Sequence, residues 1–409
     1  MALRVAVVGA GYAGMAAAVT LATRGAQVTV MEAGPVPGGR ARRVATQGRT
    51  LDNGQHILVG AYTTLFSLMR TVGVPSDAVL RIPLELRYAD GFSLRRAFLP
   101  GQLGLLGGLL TARGLPWRER LGAVRFMVAL RRLGFRLAED RSVQQLLEEH
   151  GQHGRIGHYV WKPLCVSALN TPPERASANV FLAVLRDTLG GEEGASDLLL
   201  PRVDLSRLFP EPAAEWLGAQ GGELRCGTTV RDLGALRAQF DAVILAVGPH
   251  QMKAIAPALA VDFEYQPITT CYLQYPAKVR LPFPMLGLAA GIVQWVFDRG
   301  ALAGEKGRLA AVISAQGDHQ QMTQEELAQT CHRELADALR ALPEPQWSLV
   351  ISEKRATVAV GAGLRRPAVH TPLAGVYLAG DYTDPEYPPT LEAAARSGVR
   401  AAERALARD

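Results

Sequence analysis

The sequence predicts an α/β protein whose main domain is built on a parallel sheet and is interrupted by an inserted α+β domain. Three observations support this fold class: a strand–helix–strand unit within residues 1–32, strand-like segments between residues 221 and 248, and a strand followed by a long helix after residue 375. Strands of one sheet that lie so far apart in the chain imply a discontinuous domain, with the intervening segments forming a second unit.

The opening strand–helix–strand unit is complete. Residues 3–9 form a continuous apolar run, which is typical of a strand buried on both faces. Residues 13–23 are rich in alanine and leucine and predict a helix, which Gly25 is placed to end. Residues 27–32 then predict a second strand with Glu32 at its end.

Glycines at three positions mark the turn between this strand and helix. Gly9 permits a tight turn, Gly11 lets the backbone approach a pyrophosphate, and Gly14 lets the helix pack closely on the strand. The free N–H groups of the helix N-terminus favour phosphate. Glu32 is placed to accept hydrogen bonds from an unphosphorylated ribose, so the unit predicts a Rossmann-like site for FAD or NAD rather than NADP.

A second glycine-rich segment separates these two cofactors. Gly38 and Gly39 allow backbone amides near a diphosphate, and Arg40 can neutralise its charge. This segment resembles the second glycine–arginine motif of the FAD-dependent amine oxidase and phytoene desaturase superfamily. The resemblance implies FAD and a FAD-binding domain of the type called GR2, whereas an NAD dehydrogenase would not need the second motif.

The resemblance also implies further contacts with the cofactor. A turn at residues 52–56 passes beside the isoalloxazine ring, the backbone at Val230 meets the adenine side, and Asp381 binds the ribityl chain. The complete set of cofactor-binding residues implied by the motifs and the resemblance is Gly9, Gly11, Gly14, Glu32, Ala33, Gly39, Arg40, Gly54, Gln55, His56, Val230, Gly248, Gly380, Asp381, Thr390 and Leu391.

The predicted FAD-binding domain consists of residues 1–60, 196–262 and 350–409, and the predicted substrate domain of residues 61–195 and 263–349. A helix is predicted over residues 388–402. Its small residues Ala394, Gly398 and Ala402 recur every four positions and form a stripe that would pack closely on the sheet.

Segments in the first insertion and directly after it narrow the resemblance to one branch. Residues 161–177, the Arg186-Asp187 pair and residues 196–205 resemble the bacterial squalene-associated FAD-dependent desaturases, also described as hydroxysqualene dehydroxylases. The resemblance implies reductive dehydroxylation of a C30 isoprenoid, hydroxysqualene, to squalene in hopanoid synthesis, with a separate reductant for FAD. A desaturase of carotenoid or other isoprenoid chains, an amine oxidase and a non-enzymatic FAD-binding or membrane-scaffold protein remain the alternatives.

Dehydroxylation requires an acid, because hydroxide is a poor leaving group. His56, in the turn that the resemblance places beside the flavin, is the first candidate for this acid. Asp187, Asp204 and Tyr387 follow, although the arginines next to the two aspartates in sequence also fit structural ion pairs.

Charge and cysteine content argue against a nucleic-acid-binding, metal-binding or disulfide-rich protein. A net charge of +6 on 409 residues is too small a surplus to indicate nucleic-acid binding. The cysteines have neither metal-ligand nor disulfide spacing, so no metal site is expected and a reducing cytoplasm is the expected location. They are Cys165, Cys226, Cys271 and Cys331.

An apolar segment followed by a basic one leaves two interpretations open. Residues 100–110 are apolar but too short to span a bilayer, and arginines alternate with apolar residues from 113 to 136. This pattern suits a peripheral contact with the anionic inner face of the membrane, in which Leu105, Leu106, Leu109 and Leu110 would enter the lipid. It equally suits two helices that cover the substrate domain and expose an arginine face.

Overall fold

The computed structural model describes residues 2–99, 101–189, 193–340 and 342–407. In chain order its strands are β1 (Arg4–Val8), β2 (Gln27–Met31), β3 (Arg43–Thr46), β4 (Arg49–Asp52), β5 (Leu58–Val59), β6 (Val79–Ile82), β7 (Glu85–Arg87), β8 (Ser93–Arg95), β9 (Leu198–Pro201), β10 (Glu223–Arg225), β11 (Ala242–Leu245), β12 (Tyr265–Gln274), β13 (Met285–Gly287), β14 (Trp295–Asp298), β15 (Arg308–Ser314), β16 (Trp347–Val358) and β17 (Val376–Leu378).

The helices, again in chain order, are α1 (Tyr12–Thr23), α2 (Thr63–Thr71), α3 (Gly101–Thr111), α4 (Trp117–Arg132), α5 (Val143–Glu149), α6 (Lys162–Leu169), α7 (Ala178–Leu189), α8 (Leu205–Leu208), α9 (Pro210–Ala219), α10 (Leu233–Gln239), α11 (Pro249–Ile255), α12 (Arg299–Ala303), α13 (Gln324–Leu339) and α14 (Leu391–Ala407). A π-helical turn, Gly157–Trp161, leads directly into α6. Short 3₁₀ turns occupy Ser76–Ala78, Pro257–Leu259 and Asp318–Gln321.

A parallel sheet of order β10–β2–β1–β11–β17 forms the centre of the main domain. Its strands come from the start, the middle and the end of the chain, so the predicted discontinuous α/β domain is confirmed. The strand-like segment predicted from residue 221 is shorter than expected. Beyond β10 the backbone N–H groups of Gly227 and Thr228 donate to the carbonyls of Gly34 and Glu32, which turns the chain out of the sheet.

Helix α14 packs against α1, and Gly398 makes that packing possible. A Cβ at Gly398 would lie 2.1 Å from the Ala13 carbonyl oxygen and 2.9 Å from the Ala17 nitrogen. The small-residue stripe was predicted to pack on the sheet, but at Gly398 it packs on the neighbouring helix. The helix starts later than predicted because the Thr390 hydroxyl caps it, accepting from the Ala393 N–H at 3.2 Å.

A buried carboxylate joins α14 to α2. Glu392 is fully buried and accepts hydrogen bonds from the backbone N–H groups of Thr64, at 3.0 Å, and Leu65, at 2.9 Å. These N–H groups lie in the first turn of α2, where no intrahelical acceptor exists. Glu392 thereby satisfies them and fixes the start of α2 beside the last helix of the chain.

The second unit contains an antiparallel sheet of order β13–β14–β15–β12–β16, with helix α13 packed on one face. The domain boundary predicted at residue 350 falls inside β16, because β16 pairs with β12 from Trp347 to Val358 with one irregularity in register. Strand β9 joins β5, which lies in the same predicted domain, and β6 in a small antiparallel sheet.

Helix α3 buries some of the leucines that the sequence suggested for lipid contact. Leu105 and Leu109 of α3 are buried, and so are Phe126 and Leu130 of α4, which pack in the same core. The arginine face of α4, including Arg125, is exposed. Among the described helices, none combines the length and apolar character needed to cross a bilayer.

We expect Gly398→Ala to lower the free energy of unfolding by about 1–3 kcal/mol, because the added methyl group overpacks the α1–α14 contact. Chemical denaturation would measure this. Gly218→Ala in α9 is the matched control, since no heavy atom lies within 4 Å of its added Cβ. That control should be neutral or stabilising by about 0.4–1 kcal/mol. Equal stabilities for the two variants would contradict the close helix contact.

Candidate active site

One cavity of about 980 Å³ runs from the carboxyl ends of β1 and β2 to the antiparallel sheet. Its volume is at the upper end of the roughly 300–1,000 Å³ usual for ligand and cofactor sites. One end is lined by the glycine motifs and charged groups, and the other is lined mainly by apolar side chains, with a few polar ones such as Ser167 and Asn170. The cavity therefore offers a polar half and an apolar half without a break.

At the polar end of the cavity, the backbone at Gly9, Gly11 and Gly39 forms a concave surface without side chains, the glycine cradle. Gly9 has a φ of +102°, and a Cβ there would lie 2.6 Å from the Ala246 carbonyl oxygen. Gly11 precedes the first turn of α1 without a side-chain cap, which leaves that turn's N–H groups for a ligand. A Cβ at Gly39 would lie 3.2 Å from the Gly11 Cα, so the two glycine motifs touch. This arrangement fits a diphosphate.

Glu32 is held rigidly at the edge of this cradle. Its carboxylate accepts the Ala10 N–H at 2.8 Å and the Gly34 N–H at 2.7 Å, one on each oxygen. Each carboxylate oxygen can accept a further hydrogen bond, and Glu32 lines the cavity together with Ala33 and Val230. A ribose diol fits this acceptor.

Arg40 links the second glycine motif to the C-terminal segment. Its guanidinium donates to Asp381 Oδ1 at 2.7 Å and to the Ala356 carbonyl at 2.7 Å. Burial alone would lower the pKa of Arg40, but Asp381 and Glu353 outweigh burial and raise it, so the side chain is a fixed cation. Arg40, Asp381 and Glu353 all line the cavity.

His56 also lines the cavity, but it is poorly suited to donate a proton. Burial lowers the pKa of His56, and the nearby charge of Arg40 acts in the same direction. The ring is therefore neutral at neutral pH. Nδ1 lies 3.2 Å from the Gly54 carbonyl oxygen. Since a carbonyl only accepts, the proton sits on Nδ1, and Nε2 is left as an acceptor.

Among the other predicted acids, the structure brings only Tyr387 to the cavity. Asp204 caps α8 by accepting the Arg207 N–H at 3.0 Å and lies 3.6 Å from Arg43. Asp187 accepts from Arg186 at 2.8 Å. Asp187 thus pairs with the arginine next to it in sequence, whereas the partners of Asp204 are Arg43 and Arg207. Asp187 still acts on the site electrostatically, because its charge helps burial raise the pKa of Tyr387.

The cofactor-binding residues implied by the sequence converge on this one cavity, with a single exception. All of them line it apart from Gly14, whose Cβ would lie 1.9 Å from the Gly9 carbonyl oxygen. Gly14 thus has the helix-packing role expected of the third glycine of the motif. The glycine cradle, the anchored carboxylate and the fixed cation fit FAD.

Sequence reasoning missed most of the apolar half. The residues that line it come from strands, the π-helical turn and helices in both insertions, and they include Leu86, Leu105, Leu109, Trp161, Ile268 and Trp295. It also missed two buried tyrosines, Tyr62 and Tyr382, that line the cavity. The segment starting at Trp161 could have indicated part of this wall. The sequence analysis used it for the resemblance to one branch but assigned it no place in the structure.

A family model described as flavin containing amine oxidoreductase matches residues 12–406, and the chain belongs to this family. It is 31% identical over 445 residues to the hydroxysqualene dehydroxylase of Rhodopseudomonas palustris, covering 100% of this chain and 99% of that protein. It is 23% identical over 483 residues to a probable zeta-carotene desaturase of Synechococcus elongatus, covering 99% of this chain and 98% of that protein.

The fold has a counterpart among solved structures. An oxidoreductase from Methanosarcina mazei matches with a TM-score of 0.74 and 16% identity, covering 98% of this chain and 100% of that one. The sequence and structure comparisons agree with the motifs that the cavity displays. The protein is an FAD-dependent oxidoreductase.

We expect Glu32→Ala to weaken FAD binding by about 1–3 kcal/mol, because the ribose loses a charged acceptor. Titration of the apoprotein with FAD, followed by flavin fluorescence, measures this. Glu223→Ala is the matched control, since Glu223 is exposed and bonds to Arg225. Unchanged affinity in the Glu32 variant would remove Glu32 from the ribose role.

Proposed function

We propose that the protein catalyses FAD-dependent reductive dehydroxylation of hydroxysqualene to squalene, in bacterial squalene and hopanoid biosynthesis. The observation that carries the proposal is the continuity of the cavity, which joins a site fitted to FAD to a long apolar chamber. The full-length similarity to a hydroxysqualene dehydroxylase supports the choice of substrate.

The dehydroxylation reaction determines what the protein must provide. The allylic C–O bond breaks, a proton converts the departing oxygen to water, and a hydride forms the new C–H bond. Reduced FAD supplies a hydride when bound. Because the reaction removes two electrons from the cofactor, a separate reductant must restore them. The protein must hold the apolar chain, exclude water and present a proton to the leaving oxygen.

Tyr387 is the proton donor that the geometry favours. Its main chain is fixed, since its N–H donates to Asp384 at 3.1 Å and its carbonyl accepts from Arg366 at 2.7 Å. Tyr387 lines the cavity. Burial raises the pKa of Tyr387, so the proton stays on the phenol until a strongly basic oxygen develops beside it.

Neighbouring groups prepare this phenol for the transfer. The Arg396 guanidinium lies over the Tyr387 ring, 4.7 Å from its centroid, and favours negative charge on the ring as the proton leaves. Tyr62 lies close enough for its charge to affect the pKa of Tyr387, and it lines the same part of the cavity. Burial raises the pKa of Tyr62 as well, so both phenols remain donors.

A desaturase of carotenoid or other isoprenoid chains is the second candidate, favoured by the similarity to a probable zeta-carotene desaturase. The same chamber would hold such a chain, and oxidised FAD would accept a hydride from it. Desaturation has no leaving oxygen to protonate. A strong dependence on Tyr387 therefore separates the two candidates.

We expect the protein with reduced FAD to convert hydroxysqualene to squalene under anaerobic conditions, with product analysis by gas chromatography. Tyr387→Phe should slow single-turnover conversion by about 10²–10⁴-fold, the usual contribution of a positioned acid. Asp204→Asn is the control, because Asp204 lies outside the cavity wall, and its rate should stay near wild type.

Two results would contradict this proposal. An unchanged rate in Tyr387→Phe would exclude Tyr387 as the acid while leaving the reaction itself in place. Desaturated products from a saturated isoprenoid segment with oxidised FAD, combined with no squalene from hydroxysqualene, would favour the desaturase.

We further propose that the apolar substrate arrives from a membrane surface beside α3. Large apolar side chains are exposed on and around α3: Phe98 at 108%, Leu103 at 57% and Trp117 at 61% of their full accessible areas. Leu105 and Leu109, on the other side of the same helix, line the chamber. Exposed Arg118 and Arg125 on α4 could meet anionic headgroups.

We expect the protein to sediment with acidic liposomes and less with neutral ones. Replacing Phe98 and Leu103 with serine should reduce sedimentation at low and high salt, because apolar burial is not screened. Arg118→Glu with Arg125→Glu should reduce it mainly at low salt. Val261→Ser is the control, since Val261 is exposed in another part of the chain. Wild-type protein that stays in the supernatant with acidic liposomes at low salt would overturn the membrane contact.

A further inference from the structure

Three connected hydrogen bonds, buried or partly buried, lie behind the turn at residues 53–56. Gln55 Nε2 donates to the Tyr272 hydroxyl at 2.8 Å, and the Tyr272 hydroxyl donates to the Asp52 carbonyl at 2.9 Å. On the other side of the amide, Arg299 Nη1 donates to Gln55 Oε1 at 3.2 Å. The antiparallel sheet supplies Tyr272, and the start of α12 supplies Arg299.

These contacts fix the orientation of the Gln55 amide. A phenol has one proton, and Tyr272 gives it to the Asp52 carbonyl, so the phenol oxygen must accept from the Gln55 NH₂ group. A guanidinium has only donors, so Arg299 must meet the Gln55 oxygen. Rotating the amide by 180° would place donor against donor at Arg299. Together the two partners leave Gln55 one orientation.

Burial and charge keep the partners in these roles. Tyr272 and Arg299 are 1% and 5% exposed. Burial raises the pKa of Tyr272, which keeps its proton in place. Burial lowers the pKa of Arg299, but Glu305, at 3.4 Å from its Nε, outweighs burial and raises it. The cation that orients the amide is therefore permanent.

Of these hydrogen-bonded residues, Gln55 lines the cavity, whereas Tyr272 and Arg299 do not. Its NH₂ group has a second N–H besides the one given to Tyr272. We propose that Arg299 and Tyr272 are positioning residues that lock this second Gln55 N–H toward the acceptor atoms of the bound flavin ring. A fixed donor stabilises the electron-rich reduced ring more than the oxidised ring.

The inference requires that the flavin ring lie beside the turn, as the resemblance implies, and it does not depend on the proposed reaction, so its tests need no substrate. Tyr272→Phe removes the acceptor for Gln55, and Arg299→Met removes the donor that prevents the amide from rotating. Each holoprotein should have a more negative flavin reduction potential, by about 30 mV or more. A shift of 30 mV corresponds to a tenfold change in the ratio of reduced to oxidised flavin.

Conservative variants separate positioning from general destabilisation. Arg299→Lys keeps a cation and its donors and should recover much of the Arg299→Met shift. Gln55→Glu replaces the donor with an acceptor and should lower the potential further than Gln55→Leu. Tyr275→Phe is the matched control: Tyr275 is also fully buried, follows β12 directly and bonds to His332 at 3.1 Å away from the cavity wall. Its potential should equal that of the wild type.

Potentials and flavin absorption spectra that stay at wild-type values in Tyr272→Phe and Arg299→Met, with FAD bound, would overturn the proposal. A shift of equal size in Arg299→Lys and Arg299→Met would also overturn it, because the cation would then be irrelevant. A shift toward positive potentials would show that the donor favours the oxidised ring, contrary to the proposal. Failure of the dehydroxylation assay would leave these measurements unaffected.

Discussion

The contact on which the site depends is the ion pair between Arg40 and Asp381. These residues are 341 positions apart in the chain, and their side chains meet at 2.7 Å in the wall of the cavity. Because Arg40 also donates to the Ala356 carbonyl, one guanidinium connects the second glycine motif, the end of the long strand β16 and the segment that leads into α14.

The Asp381 carboxylate is buried, so removing Arg40 would leave a buried charge without its partner, which is destabilising. The discontinuous domain is therefore closed by a charge as well as by its sheet.

The sequence predicted the parts of this site that are local. The glycines, Glu32 and Arg40 occur in short motifs whose spacing follows from the geometry of a strand, a turn and a helix, and the structure places them in one cavity. The sequence could not predict contacts between distant segments. Nothing in the local pattern indicated that Tyr272 and Arg299 would meet Gln55, or that Tyr62 would lie near Tyr387.

The sequence marked residues 100–110 as an apolar segment but did not say which of its leucines would face outward. Leucines on both sides of α3 look alike in the sequence, and only the tertiary packing separates Leu103 from Leu105 and Leu109. The sequence likewise ranked His56 first among the candidate acids. The burial that lowers its pKa depends on the whole fold and cannot be read from the local pattern. Local chemistry names the candidates, and burial decides between them.

The glycines of α3 have a mechanical consequence. Gly104, Gly107 and Gly108 leave no room for side chains against the preceding segment: a Cβ at Gly108 would lie 2.5 Å from the Arg95 carbonyl oxygen. Each glycine in a helix interior costs about 1 kcal/mol relative to alanine. Helix α3, which contributes Leu105 and Leu109 to the chamber wall, therefore has weak intrinsic stability. Its place in the wall depends on packing against the preceding segment and the core beneath it rather than on helix propensity.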